Sequence, residues 1–289
     1  MKKLEMWRNK QKLMIMELAE KSGLSPDRIA QLEDTKSPVT GIEALCLGWG
    51  LGMDPEELTG FKQGFGFSAQ RPSYSFDSSN HQNFGGYIGI RIFGREDHHW
   101  LPVTHGVARR IFDGFDSQEE GFTVFSTLTN KWIALRAHAI ADIRYVDADR
   151  IDVEDVGENH DIIQNQLRMS PSHFHALREF DDGYGHDTPE YNRLIEMIKT
   201  RCAAYGVTEV SEEVYVYDAQ GVAFSFTVDL DNMRQCALAI CAAREVIPFT
   251  NFETLVDRRF RTNHLAMVSL PLHVLKRAVD RENTLYEVA

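Results

Sequence analysis

Histidine offers the clearest chemistry in this sequence, because a neutral imidazole binds metals and exchanges protons near neutral pH. His98, His99 and His105 fall within eight residues, and His173 and His175 form an H-x-H followed by Asp181, Asp182, His186 and Asp187. On a strand, H-x-H would place both rings on one face in a metal-binding arrangement. The stretch PSHFHALREF follows a helix-start signal at Pro171, however, and residues two apart on a helix diverge by about 200° around its axis. The expectation is therefore solvated or core histidines, with no metal and no cofactor. Nucleophile motifs are missing as well: neither G-x-S-x-G nor S-x-x-K occurs. Gly183-Tyr184-Gly185 lacks the following glycine and lysine of a phosphate loop and reads as a turn. Cys46, Cys202, Cys236 and Cys241 stand far apart with no C-x-x-C pair, which fits reduced thiols in a cytoplasm rather than a zinc ribbon.

Charge narrows the partners. The 289 residues carry 31 basic and 43 acidic side chains, a net charge of −12, which disfavours indiscriminate coating of nucleic acid. The excess lies almost wholly in residues 87–289, at net −11, whereas residues 1–62 are nearly balanced at −1. Lys2, Lys3, Arg8, Lys10 and Lys12 cluster in the first twelve residues against Glu5 alone, so the first helix offers phosphate contacts. No apolar run approaches the roughly 18 residues needed to cross a bilayer, and MKKLEMWRNKQK is not a secretory signal, so no membrane partner is expected. Trp100, Trp132, Tyr145, Tyr215 and Tyr217 lie at strand spacing, which predicts core packing before a ligand pocket.

These side chains need a scaffold, and the apolar spacing sketches one. Leu4, Trp7, Leu13, Ile15, Leu18, Ala19, Leu24, Ile29, Leu32, Ile42, Leu45 and Trp49 recur with helical period. Breaks at Gly23, Thr35–Pro38 and Gly52 divide residues 1–62 into five short helices. Residues 63–86 are rich in Gly, Ser, Asn and Gln and read as a linker, though five aromatics suggest that part of it packs. From Tyr87 onward strands and helices mix. Strands are predicted at Tyr87–Phe93, Phe122–Thr127, Trp132–Arg136, Ile140–Asp147, Val214–Tyr217, Val222–Val228, Met233–Ile240, Glu245–Phe249 and Leu265–Leu270. Helices are predicted at Glu190–Tyr205 and Leu272–Val279. A faint echo at an offset of 102 residues pairs Phe122, Leu128, Asn130 and Ala141 with Phe224, Leu230, Asn232 and Ala243, raising the prospect of a duplicated β-unit.

One segment carries a signature. Residues 13–59 contain Glu17-Leu18-Ala19-Glu20-Lys21-Ser22-Gly23-Leu24-Ser25, then Ile29, Leu32-Glu33, Leu45, Leu51 and Asp54–Leu58. This segment resembles the helix-turn-helix domain of Cro/repressor-type (XRE-family) regulators. Small Ala19 permits a close helix crossing, Gly23 accepts the left-handed conformation that ends the first helix, and Ser25 caps the second. The resemblance implies that the second helix enters the DNA major groove. By position it assigns Ser25, Pro26, Asp27, Arg28 and Gln31 to the outward face, with Arg28 donating to guanine and Gln31 to adenine. Lys36 is placed for a phosphate, as are Lys10 and Lys12 from the first helix.

The expected architecture is an N-terminal all-α five-helix helix-turn-helix bundle (1–62), a linker (63–86) and a C-terminal α+β domain with mainly antiparallel sheet (87–289). The expected function is a cytoplasmic, sequence-specific transcription regulator, a repressor by family analogy. It would bind double-stranded DNA at paired half-sites as a homodimer, with a small-molecule or protein effector acting on the C-terminal domain. Three departures from the family pattern weigh against DNA binding, and the first two point to an alternative, a protein-interaction module that does not bind DNA. Met14-Ile15-Met16 stands where the family holds a phosphate, Asp27 brings negative charge to the groove, and Gly48 and Gly50 interrupt the fourth helix. A further alternative is a metal-dependent enzyme governed by its N-terminal domain.

Overall fold

The computed structural model describes residues 2–34, 39–53, 55, 58, 84–117, 121–148, 169–183, 185–207, 212–250, 257–275 and 278. In chain order, the helices are α1 (Lys2–Lys10), α2 (Ile15–Ser22), α3 (Pro26–Asp34), α4 (Gly41–Leu51), α5 (His105–Ser117), α6 (Pro171–Asp181), α7 (Pro189–Ala204) and α8 (Leu230–Cys241). The strands are β1 (Gly86–Ile92), β2 (His99–Val103), β3 (Thr123–Ser126), β4 (Lys131–Leu135), β5 (Ile140–Asp147), β6 (Val214–Asp218), β7 (Ala223–Phe226), β8 (Val246–Thr250), β9 (Asp257–Arg261) and β10 (Leu265–Pro271). The chain is thus a mixture of helices and antiparallel sheets. Lys36, residues 63–83 of the expected linker and most of the expected fifth helix lie outside the described residues.

The chain divides into two compact units, and the division differs from the expected 1–62 and 87–289. One unit joins the described residues up to Leu58 with Met169–Val207; the other joins Phe84–Ala148 with Glu212–Ala278. The helical unit is therefore assembled from two distant stretches. Leu18, Ile29, Leu32, Leu47 and Leu51 from α2–α4 share one buried core with Phe174, Tyr191, Leu194, Ile195 and Ile198 from α6 and α7. Burying each such side chain contributes about 1.5–3 kcal/mol, so α6 and α7 supply a substantial part of this unit's stability. The apolar stripe Tyr191, Leu194, Ile195, Ile198 and Cys202 of α7, read from spacing alone, faces this core.

Within the strand unit, β2-β1-β5 form one sheet, β3-β4-β10-β6-β7 a second, and β8-β9 a two-stranded ribbon. Every pairing is antiparallel. The expected strand at Met233–Ile240 is instead part of α8. A short apolar run looks alike in either state; the cap decides, with Asp229 Oδ1 accepting from the Asn232 N–H at 2.7 Å.

A repeated order emerges here. The run β1, β2, α5, β3, β4, a 3₁₀ turn at Ala137–Ala139, then β5 recurs as β6, β7, α8, β8, β9, a 3₁₀ turn at Thr262–His264, then β10. The copies lie 125 residues apart at three landmarks. Thr104 caps α5 as Asp229 caps α8, the turn at Ala137 matches that at Thr262, and Ile140 opens β5 as Leu265 opens β10. The echo at offset 102 joins non-equivalent elements, since Phe122 precedes β3 whereas Phe224 lies within β7. The two halves meet where β10 pairs with β4, Ser269 opposite Ile133.

Candidate functional site

The segment singled out by its signature folds as two helices around a tight turn. Gly23 takes φ 77°, and its N–H donates to Ala19 O at 2.9 Å, ending α2. A residue with a Cβ would be strained there, and that Cβ would also lie 3.2 Å from Arg193 Cδ of α7. Leu24 turns inward and is buried, while exposed Ser25 accepts the Arg28 N–H at 3.2 Å through Oγ and starts α3. Leu18, Ile29 and Leu32 are completely buried and fix α3 against α2. The following α4 opens with a capping box: Thr40 Oγ1 accepts from the Glu43 N–H at 3.2 Å, and Glu43 Oε2 accepts from the Thr40 N–H at 2.9 Å.

Gly48 and Gly50 belong to close packing rather than to interruption of α4. A Cβ on Gly50 would lie 3.0 Å from Leu18 Cδ1, Ser22 Cβ and Ser22 N; one on Gly48 would lie 2.9 Å from the Met53 carbonyl oxygen. The Gly50 contacts let α4 lie directly on α2, while Gly48 makes room for the chain that turns back after α4 at Met53 and Pro55.

The assigned outward residues occupy one side of the α3 start. Ser25, Asp27 and Gln31 are exposed, and Pro26 and Arg28 are half-buried. Arg28, assigned to guanine, is held by a fork of hydrogen bonds: Nε donates to Glu43 Oε1 at 2.6 Å and Nη2 to Glu43 Oε2 at 3.3 Å. A third bond runs from Nη1 to Gln31 Oε1 at 3.3 Å, so the two base-reading candidates are coupled. The hydrogen bond to Glu43 raises the Arg28 pKa against desolvation. Burial pushes the Glu43 carboxyl up, but hydrogen bonds from Arg28 and Thr40 more than offset it and hold this acid below its ordinary value. Glu43 was missed in the sequence, although Thr40-x-x-Glu43 is itself a readable capping signal.

The first helix supplies fewer accessible cations than its sequence suggests. Arg8 Nε and Nη2 donate to Glu33 at 2.7 and 2.8 Å, tying α1 to α3. Lys10 stays exposed with Nζ 4.6 Å over the Trp7 ring, and Lys12 is exposed at a left-handed φ of 57°. At the α2 start, Met14 and Met16 are each 65% exposed, and Met6 of α1 is 52% exposed. The same unit holds an open groove of about 950 Å³ lined by Lys21, Trp49, Arg193, Met197, Arg201 and Tyr205 among others.

The histidines do not converge. His173 and His175 lie on α6 as the helix reading expected. His173 is buried: Nε2 is 3.0 Å from Leu45 O, Nδ1 is 2.8 Å from Ser170 Oγ, and the ring packs edge-on to Trp49 at 5.3 Å. The Leu45 carbonyl can only accept, so Nε2 carries the proton and donates, leaving Nδ1 to accept from the serine hydroxyl. His173 thereby fastens α6 to α4. His175 pairs instead with Glu179 at 3.3 Å. In the strand unit, His98 Nε2 lies 3.0 Å from Asp142 Oδ2, while His105 Nδ1 lies 2.8 Å from the Tyr145 hydroxyl. Among the described residues no group of three or more His, Cys, Asp or Glu is arranged to hold a metal ion. Burial pushes the Cys46 thiol up to about 12 and raises those of Cys202 and Cys236, which removes them as nucleophiles near neutral pH. No described helix is long and apolar enough to cross a membrane. Comparison with known proteins finds no matching family model, no matching curated protein and no matching solved structure.

Proposed function

We propose that this protein is a cytoplasmic, sequence-specific DNA-binding regulator whose helical unit docks α3 in the major groove. One observation carries the reading: the left-handed Gly23 between buried Leu18 and buried Leu24, followed at once by the Ser25 cap, presents Ser25, Asp27, Arg28 and Gln31 together at the start of α3. That is the arrangement by which a helix-turn-helix reads bases with the N-terminal end of its second helix. Gln31 is the direct reader of adenine. Arg28 reaches a guanine only when the base edge replaces Glu43, so Glu43 sets how much of the Arg28 contact is realised. Lys10 and Lys12 hold phosphates. A homodimer formed through the strand unit would present two copies of α3 to paired half-sites, and repression would follow by occlusion of a promoter.

Selection from a random duplex pool, followed by anisotropy titration, tests this. The expected result is a paired motif and a loss of about 10–100-fold in affinity on Gln31→Ala. No motif, and equal weak binding by both proteins, would refute it. A second reading, protein docking without DNA binding, is favoured by the exposed Met14 and Met16 at the α2 start, where a phosphate contact belongs in the family. It requires salt-insensitive or absent DNA affinity, together with loss of a stable protein complex when both methionines are replaced by lysine.

A further inference from the structure

The two halves of the strand unit treat their second hairpin differently. In the first half, β4 reads Lys131-Trp132-Ile133-Ala134-Leu135; the last four are buried, and β10 covers the edge opposite β3. In the second half, β9 reads Asp257-Arg258-Arg259-Phe260-Arg261 and, among the described residues, pairs with β8 alone. The position that holds an apolar central strand in one copy holds an arginine-rich edge in the other.

Register sorts the arginines by face. Arg259 lies opposite Pro248 and Arg261 opposite Val246, which is 39% exposed; Phe260 lies opposite Ile247, which is fully buried. Side chains alternate along a strand, so Arg259 and Arg261 share the outer face while Phe260 turns in. Arg258 is anchored, its guanidinium 5.4 Å from the Phe224 and Phe226 rings. Exposed Arg244 joins the same end of the ribbon, where the Thr262 N–H donates to Glu245 O at 2.9 Å. Arg244, Arg259 and Arg261 are exposed and have no carboxylate partner among the described residues. In a chain of net charge −12, Arg8, Arg28, Arg95 and Arg144 are each paired to an acid, whereas Arg244, Arg259 and Arg261 gather at one end of a two-stranded ribbon and form a local cationic surface.

We propose that the outer face of the β8–β9 ribbon binds the phosphate backbone of double-stranded DNA, as a sequence-independent contact separate from α3. Charge complementarity selects a polyanion, and a two-stranded ribbon fits against a duplex groove. The inference rests on the DNA-binding reading above and adds to it a second point of attachment. A purely protective role, in which charges keep an edge strand from pairing with other chains, leaves DNA affinity untouched.

The test uses the full chain, a 30-base-pair duplex of random sequence and anisotropy between about 50 and 200 mM salt. Each phosphate contact contributes about 0.9 to the slope of log affinity against log salt, or about 3.5-fold over that range. Replacing Arg244, Arg259 and Arg261 together by serine is expected to reduce the slope by about 2–3 and to weaken binding accordingly, while the triple lysine variant keeps the slope. Arg109→Ser/Arg110→Ser, exposed on α5 of the first half, is the control and is expected to leave it unchanged. A wild-type slope in the serine variant overturns the proposal. So does an equal drop in the α5 control, or absence of duplex binding by the wild type at the lowest salt. A slope change seen with polyglutamate but not with DNA also overturns it, assigning the ribbon to an acidic protein. The two readings fail separately. Recovery of a motif with an unchanged ribbon slope sinks the ribbon alone; a reduced ribbon slope with no selected motif sinks the α3 reading alone.

Discussion

Alanine at Gly50 sets two known effects against each other. In an open helix this change stabilises by about 1 kcal/mol, because glycine carries the larger conformational entropy in the unfolded chain. Here the added methyl would meet three atoms at 3.0 Å, one of them the backbone nitrogen of Ser22 in α2, which cannot swing aside as a side-chain tip can. Overpacking of a closed contact costs about 1–3 kcal/mol, occasionally more. With a backbone nitrogen among the three contacts the steric cost falls in the upper part of that range, about 2–3 kcal/mol, which exceeds the propensity gain and leaves a net destabilisation of about 1–2 kcal/mol. Gly41→Ala at the start of the same helix is the reference, since nothing lies within 4 Å of its Cβ; it should be neutral or stabilising. Native-state hydrogen exchange reads both. Amides of α2 and α4 should exchange about 10-fold faster in Gly50→Ala, as 1.4 kcal/mol corresponds to a factor of ten, while the strand unit is unchanged. Protection equal to or above wild type in Gly50→Ala would refute the close crossing, and with it the placement of α3 that depends on it.

Other consequences are as direct. His173→Ala removes two hydrogen bonds and an edge-on aromatic contact, so chemical denaturation should show a loss of about 3–4 kcal/mol from the helical unit; an effect under about 1 kcal/mol would mean that α6 is not fastened to α4 this way. Glu43 is held below its ordinary 4.5, so its contribution to stability is complete above that value and is lost only as pH falls through the lower folded-state pKa. Exchange protection at the start of α4 should accordingly stay level from pH 7 to 5 and fall only below about 4.5; Glu43→Gln should abolish that dependence. A thiol reagent at pH 8 should modify exposed Cys241 first, with Cys46, Cys202 and Cys236 reacting only on unfolding; rapid loss of two or more thiols from the native protein would contradict their burial.

What the sequence revealed was local. Gly23, Ser25-Pro26 and the apolar spacing of Leu18, Ile29 and Leu32 carry their own conformational instructions, and α2 and α3 follow them. Strand β5 is found at Ile140–Asp147, where alternation put it, and the hairpins at 122–136 and 214–228 are also present. Three things were not legible. Tertiary contact between α4 and α6 leaves no trace in either segment, so α6 and α7 could not be assigned to the helical unit. Gly48 and Gly50 look like helix breakers until the neighbour that needs the space is known. The Arg28–Glu43 fork joins residues 15 apart, and no one-dimensional pattern shows that a base-reading candidate is already engaged. Residue identities do not display the repeat at offset 125, because its halves share order and caps more than side chains; Thr104 and Asp229 do the same work with different side chains.

The split make-up of the helical unit bears on how the chain is made. Helices α1–α4 leave the ribosome first, yet their core is closed by residues that follow Met169. At about 5–20 residues per second, the roughly 150 residues between Leu58 and Val207 take about 7–30 s to synthesise. Through that interval Leu18, Leu47 and Leu51 await their partners, while Phe84–Ala148 can begin to fold. A nascent chain in that condition offers apolar surface to chaperones and to its neighbours on the same message, and the N-terminal helices, although the first to be translated, have their core closed only by a segment that follows Met169.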